Sequence, residues 1–247
     1  MADTATATKK VSQEESGDAK NLAALRMAIT HAEGFGAAYN PSYQNISLAS
    51  LRSFYADCEK ALSSSRDAMG VHRSDVQKRK AEFDVLGKRL TRVYNAFSQQ
   101  ATKKQSKDAQ SLVKKGRGDN RKKADPEKID AKTISTSQMS FDNRVESARV
   151  VMSYVEASGI YDPNEADLKA SGMKGFIDGL ETLNNAVGKS VNVRMSTRIT
   201  KNKLFYTGEG SLIDRVQDMK KYVKSAFGAS SPEYRQLSKV QVKARRS

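Results

Sequence analysis

Residues 48–83 read LASLRSFYADCEKALSSSRDAMGVHRSDVQKRKAEF, and this stretch decides the fold. Mostly apolar positions recur in it at alternating spacings of three and four residues: Leu48, Leu51, Tyr55, Cys58, Leu62, Ser65, Met69, His72, Val76, Arg79 and Phe83. This heptad-like seam predicts one long helix that buries a single stripe. From residue 46 to about 84 such a helix rises roughly 58 Å at 1.5 Å per residue, far more than the usual helix of about a dozen residues. The pattern predicts an all-α, elongated helical bundle with coiled-coil-like long helices.

A second long helix is predicted further along the chain, with its stripe at Met173, Ile177, Leu180, Val187, Val191, Met195 and Ile199. The turn Tyr39-Asn40-Pro41 precedes the first long helix, and Tyr161-Asp162-Pro163 precedes the second at an offset of 122. A gapless alignment at this offset, from Tyr39 to Leu90, keeps apolar positions in register. Two unrelated helices with a common period would explain the apolar matches but not the shared turn. We therefore predict a tandem duplication.

Each repeat is interpreted as a unit of three helices. The two units, the linker between them and a stretch at each end of the chain make five segments. The first helix of repeat one has Asp18 as candidate N-cap, and the second repeat breaks at Thr207-Gly208-Glu209-Gly210-Ser211, where Gly87 aligns with Glu209. Ser211 with Asp214 indicates a helix start, Gly228 indicates the end of that helix, and Ser231-Pro232 indicates another start. The predicted segments are a disordered tail (1–20), helical unit one (21–100), a basic linker (101–139), helical unit two (140–230), and a short turn with a basic tail (231–247).

The net charge is concentrated in two stretches. The chain of 247 residues holds 43 Lys and Arg against 28 Asp and Glu, a formal charge of +15. Residues 103–123 have nine cations and two carboxylates, and residues 235–247 have five cations and no carboxylate. The candidate polyanion-binding residues are Lys103, Lys104, Lys107, Lys114, Lys115, Arg117, Arg121, Lys122, Lys123, Arg235, Lys239, Lys243, Arg245 and Arg246.

Two functional interpretations of these basic stretches stay open. In the first, their Lys and Arg side chains neutralise a polyanion, most simply DNA or RNA, and release its counterions. No aromatic residue is interleaved with either stretch and no recognition motif is present, so neither base stacking nor sequence-specific readout is expected. In the second, the basic stretches only solvate a linker and a terminus. The helices would then serve protein–protein assembly, with a second copy or a helical partner.

Catalysis, metal binding and cofactor binding are not expected. Cys58 is the single cysteine, and with His31 and His72 the chain has three soft-metal ligands far apart in sequence. His72 lies on the seam without a nucleophile partner, so a role in helix register is favoured, and Cys58 is interpreted as a small buried hydrophobe. No apolar run of about 18 residues occurs, so we expect no membrane span. We also expect a cytoplasmic protein that is not an enzyme.

Three motifs resemble an uncharacterised family of bacterial helical repeat proteins of the Bacteroidetes type. These are Ser140-Phe141-Asp142-Asn143-Arg144, then Tyr161-Asp162-Pro163-Asn164-Glu165, then the run from Tyr222 to Gly228 followed by Ser231-Pro232-Glu233-Tyr234. All three are turn and cap signals. The resemblance implies a bacterial, cytoplasmic origin and carries no activity or ligand.

Overall fold

The computed structural model describes residues 17–117 and 140–244. Within these ranges the chain forms seven α-helices and no strand. The helices are α1 (Asp18–Gly34), α2 (Leu48–Ser98), α3 (Lys103–Arg117), α4 (Phe141–Ala157), α5 (Ala170–Asn202), α6 (Leu212–Phe227) and α7 (Pro232–Ser238). A π-helical turn, Lys203–Thr207, follows α5 directly. The predicted all-α class with long helices is confirmed.

The first long helix continues further than its pattern predicts. α2 spans 51 residues and passes through Gly87 without a break, so the helix end expected near this glycine is wrong. A glycine inside a helix costs about 1 kcal/mol relative to alanine, which neighbouring contacts can outweigh. Leu86 and Leu90, on either side of Gly87, are fully buried in one core. In the second repeat the break does occur, because α5 ends in the π-helical turn before Gly208.

The apolar seams are buried only in part. Along α2, Leu51, Cys58 and Phe83 are buried as predicted, whereas Met69 is exposed. On α5, Met195 is 54% exposed and Ile199 is 66% exposed, so their predicted burial is wrong. The predicted stripe advances in steps of four residues from Val187 to Ile199. Each such step turns a helix by about 400°, so each successive side chain lies roughly 40° further from the starting face.

The chain folds as two compact units that differ from the predicted segments 21–100 and 140–230. Unit 1 takes the described residues up to Ala68 and those from Arg194 onward, and unit 2 takes Met69–Val193. Each unit therefore combines helices from both predicted repeats. The reason is the length of α2, which contributes its first half to the core of unit 1 and its second half to the core of unit 2. α5 contributes to the core of unit 2 and leads directly into the π-helical turn, which contributes to the core of unit 1.

The core of unit 1 is built from α1, the beginning of α2, the π-helical turn, α6 and α7. Its largest members that are fully or almost fully buried are Leu25, Leu51, Phe205, Leu212 and Met219. The Ser211–Asp214 capping box starts α6, Gly228 ends it at φ 93°, and Ser231 caps α7, all as predicted. Asp18 is not an N-cap, because Gly17 holds that position. The Asp18 carboxylate instead accepts hydrogen bonds from Lys201 and Tyr206.

The core of unit 2 is built from the end of α2, α3, α4 and the beginning of α5. Its members include Phe83, Leu90 and Phe97 from α2 and Met173 and Leu180 from α5. The predicted basic linker 101–139 is wrong for its first part, since Lys103–Arg117 forms a helix. Apolar packing decides this, because one face of α3 lies in the core. Residues 118–139 lie outside the described part, as do residues 1–16 of the predicted tail.

Candidate polyanion-binding surface

Helix α3 is begun by a side-chain cap and fixed by a buried face. The Thr102 hydroxyl accepts a hydrogen bond from the Gln105 main-chain N–H, and the Gln105 carboxamide oxygen accepts one from the Thr102 N–H. This reciprocal pair satisfies two donors that a helix N-terminus leaves free. Ala109 and Val113 are buried, one turn apart, in the core of unit 2. The basic helix is thereby a fixed part of unit 2.

Gly116 sets how closely the end of α3 approaches its neighbours. A Cβ atom at this position would lie 2.8 Å from Leu90 Cδ1 and 3.7 Å from Ser147 Cβ. Carbon atoms do not approach as near as 2.8 Å without a shift of one of them. The missing side chain at position 116 therefore allows α3 to pack against both α2 and α4.

The opposite face of α3 presents the predicted cations to solvent. Six of the fourteen candidate residues lie on this helix, and all six are exposed: Lys103, Lys104, Lys107, Lys114, Lys115 and Arg117. Asp108 is the single carboxylate on the helix. Lys103, Lys107 and Lys114 follow helical spacing, so they share one side. We call the six cations of α3 the basic face.

The C-terminal candidates lie in unit 1 and are arranged differently. Arg235 and Lys239 are exposed at the end of the chain's last helix. Lys243 is half-buried, and its backbone exchanges two hydrogen bonds with the Asn21 side chain, at 2.9 and 3.0 Å. Val240 is buried in the core. The predicted basic tail is thus held against α1 as far as residue 243.

The remaining candidates cannot be placed. Arg121, Lys122 and Lys123 lie outside the described residues, and so do Arg245 and Arg246. The structure brings together the six cations of α3, and it places Arg235, Lys239 and Lys243 in the other unit. Two further cations near α3, Lys88 and Arg144, were missed from the sequence because they belong to helices outside the basic stretches. Only the packing of α3 brings them close to Arg117.

His72 lies in unit 2, and Cys58 lies in the core of unit 1. His72 Nδ1 lies 3.2 Å from the Ser190 hydroxyl oxygen, and the imidazole is half-buried. Cys58 is buried, and burial raises the pKa of its thiol to about 12. Among residues 17–117 and 140–244, no group of three or more His, Cys, Asp or Glu side chains could hold a metal ion. No helix in these ranges combines the length and apolarity needed to cross a membrane.

Comparison with known proteins gives no homologue for this chain. No protein-family model matches it, and neither a curated protein nor a solved structure does.

Proposed function

We propose that this protein is a non-enzymatic helical scaffold that binds a polyanion, DNA or RNA without strong sequence preference, through the basic face and the basic C-terminal residues. The observation that carries the proposal is that one face of α3 is buried in the core of unit 2 while all six of its cations are exposed. A fixed array of cations loses less side-chain and backbone freedom on binding than a disordered one. We propose bacterial cytoplasm as its setting, on the resemblance of its turn motifs.

Salt dependence of binding to a duplex oligonucleotide is the primary test. If the basic face neutralises six phosphates, log K falls by about 0.9 per phosphate for each decade of salt. Affinity should then fall by about three decades between 50 and 200 mM salt. An affinity indifferent to salt, or no binding at 50 mM salt, contradicts the proposal.

A triple substitution at the start of α3 tests the basic face without weakening the helix. Cations near a helix N-terminus oppose the helix dipole, so Lys103→Gln, Lys104→Gln and Lys107→Gln should leave α3 intact or stabilise it slightly. We expect the salt slope to drop by about 2.7, because three phosphate contacts are removed. The matched control replaces three exposed lysines of the same unit: Lys169→Gln, Lys174→Gln and Lys189→Gln. Equal losses in both variants would mean that only net charge matters.

A second candidate function, assembly with a second copy or a helical partner, has one observation in its favour. Met195 and Ile199 lie one turn apart on α5 in unit 1 and are both more than half exposed. Light scattering in 1 M salt distinguishes this candidate, because apolar association persists when charges are screened. A monomer under these conditions argues against self-assembly.

We also propose that the chain arose by tandem duplication. α1 and α4 have the same length of 17 residues. All five buried positions of α4 match buried positions of α1 at a constant offset of 123, in the pairs Leu22/Val145, Leu25/Ala148, Ala28/Val151, Ile29/Met152 and Ala32/Val155. The hydroxyl of Tyr39 donates to the carbonyl of Ile46 at 2.8 Å, and that of Tyr161 donates to the carbonyl of Leu168 at 2.7 Å. A shared ancestor accounts for these pairs more simply than chance.

A further inference from the structure

Helix α5 presents two exposed arginines in unit 1, close to the start of α1. Arg194, Arg198 and Lys201 follow spacings of four and three residues, so these cations share one side of α5. Lys201 is buried and pairs with Asp18 at the start of α1. Arg194 and Arg198 are exposed, and neither guanidinium forms an ion pair or hydrogen bond with any residue that the structure describes. This side of α5 is therefore covered at Lys201 and open along the two turns before it.

The sequence of α5 offers these arginines no carboxylate. Between Glu181 and Glu209 the chain has five Lys and Arg residues and no Asp or Glu. The nearest acidic residues of α5 towards its start, Asp178 and Glu181, lie in unit 2 and pair there with Arg149. An exposed surface with uncompensated positive charge of this kind is complementary to an acidic segment.

The chain that precedes α1 leads towards this open side of α5. The start of α1 is bound to Lys201, and further along α1 Leu25 lies in the same core as Phe205. α1 therefore runs from Lys201 towards the π-helical turn, in the same direction as α5. The chain before Gly17 leaves α1 in the opposite direction, towards Arg198.

Two glutamates precede α1 at distances that match the two arginines. Glu15 and Glu14 precede Gly17 by two and three residues, which is about 7 and 10 Å of extended chain. The two arginines lie about 4.5 and 10.5 Å along the axis of α5 from the lysine that binds the start of α1. An extended segment thus brings Glu15 level with Arg198 and Glu14 level with Arg194.

The equivalent positions of unit 2 have neither the arginines nor the glutamates. At the offset of 122 that relates the long helices, Val76 and His72 correspond to the two arginines. At the offset of 123 that relates α4 to α1, Gln138 and Ser137 correspond to the two glutamates. Both sets of charges are thus present in one unit and absent from the other, which is the pattern expected of charges that pair with each other.

We propose that the side of α5 bearing Arg194 and Arg198 is a docking surface for the acidic segment of this chain that precedes Gly17, with Glu14 and Glu15 as the paired carboxylates. This docking does not depend on the proposed function. Its consequence for that function is that the segment competes with a polyanion for two arginines outside the basic face. Exposed ion pairs contribute little individually, so salt should release the segment.

Cleavage of the full chain by a glutamate-specific protease measures the docking, because a docked segment is cut only when it opens. We expect Arg194→Gln with Arg198→Gln to raise the rate of cleavage after Glu14 and Glu15 about fivefold at low salt, since two exposed ion pairs are lost. In 1 M salt this difference should vanish. The products are identified by mass, and the thermal unfolding midpoint checks that the variant is folded.

The matched control for the protease experiment replaces two exposed cations elsewhere in unit 1. Arg26→Gln with Lys60→Gln removes the same charge and should change the cleavage rate by less than twofold. Equal rates in the wild type and the α5 variant would overturn the proposal, and so would equal increases in the α5 variant and the control.

A disulfide cross-link distinguishes docking within one chain from docking between two copies. The native Cys58 is buried, so it does not compete in the reaction. Glu15→Cys with Arg198→Cys should form an intramolecular disulfide under mild oxidation. The control pair, Glu15→Cys with Thr200→Cys, has its second position exposed at a similar height on the opposite side of α5 and should not. A cross-linked dimer, or no cross-link with either pair, would overturn docking within the chain.

Discussion

In unit 1 the guanidinium of Arg215 donates to backbone carbonyls, whereas in unit 2 that of Arg92 binds a carboxylate. Arg215 Nε donates to the Gly210 carbonyl at 2.9 Å, its Nη1 donates to the Asn45 carbonyl, and its guanidinium lies 4.0 Å from the centre of the Phe54 ring. Arg92 forms a two-pronged ion pair with Asp167. The two acceptors, residues 45 and 167, lie 122 apart, the offset of the predicted repeat. The arginine contact is thus half-buried in unit 1 and exposed in unit 2.

A second pair of contacts, made by Lys201 in unit 1 and Arg79 in unit 2, also differs between the two units. In unit 1, Lys201 is buried and pairs with Asp18 at the start of α1. In unit 2, the guanidinium of Arg79 lies 3.9 Å from the centre of the Phe141 ring at the start of α4. Positions 79 and 201 are again 122 apart. Each long helix thus has a cation at this place, and its partner is a carboxylate in unit 1 and an aromatic ring in unit 2.

The largest expected effect concerns the two cores themselves. Phe83 and Phe205 are buried to 1% and 0% exposure, one in each unit. We expect Phe83→Ala and Phe205→Ala each to destabilise the protein by about 3–5 kcal/mol, because each leaves a cavity. Since α2 contributes to both cores, calorimetry should show one unfolding transition that both variants lower. Two transitions, each moved by one variant only, would contradict this coupling. The control Met27→Ala, at a position 55% exposed, should change stability by less than about 0.5 kcal/mol.

The next effect separates the two arginines. Arg215→Gln should destabilise by about 2 kcal/mol, because carbonyl acceptors and the buried Phe54 ring lose a charged partner. Arg92→Gln should have a far smaller effect, since its ion pair is exposed. Urea unfolding at pH 7 measures both. Equal losses would mean that the difference in burial is energetically unimportant.

The stability losses caused by Arg92→Gln and Arg215→Gln should also differ in their dependence on pH. The hydrogen bond from Arg92 holds the pKa of Asp167 below its usual value. The contribution of this pair is therefore present above the ordinary Asp pKa of about 3.9 and is lost as pH falls through the lowered value. The difference between wild type and Arg92→Gln should vanish in strong acid, while that for Arg215→Gln should persist because carbonyls do not titrate in this range.

The smallest effect tests the feature that the units share. Tyr39→Phe and Tyr161→Phe each leave a carbonyl without its donor, so each should cost about 1 kcal/mol. Burial raises the pKa of Tyr161 to about 12 and also raises that of Tyr39. An unfolded tyrosine loses its proton near pH 10, so stability should decline above pH 10, and less steeply in each variant. Absorbance at 295 nm follows the titration, with Tyr43→Phe as the exposed control; an equal decline in all variants would contradict this expectation.

Local chemistry made much of the fold predictable. The alternating spacing in residues 48–83 predicted the long helix, and the caps at Ser211, Ser231 and Gly228 depend on side chains or backbone freedom within a few residues. The burial of Cys58 followed from its place on the seam. The candidate site was predictable as composition, since six of its cations lie within Lys103–Arg117. Its helix could have been found from the spacing of Ala109, Val113 and Gly116.

Pairing between distant parts of the chain was not predictable from local pattern. Nothing near Gly87 indicates that Leu86 and Leu90 are buried strongly enough to carry the helix through it. Nothing in the basic stretches indicates that Lys88 and Arg144 lie beside Arg117. The exposure of Ile199 likewise depends on which face of α5 meets the core.

By itself the sequence determined that the chain is helical, where most helices begin and end, and which residues carry the excess charge, because these depend on neighbours within a few turns. The tertiary structure decided which helix ends share a core, and it made α3 a packed helix with one basic face. The physical reason is that burial is a property of contacts between segments far apart in sequence, and one long helix can satisfy its apolar stripe in two cores at once.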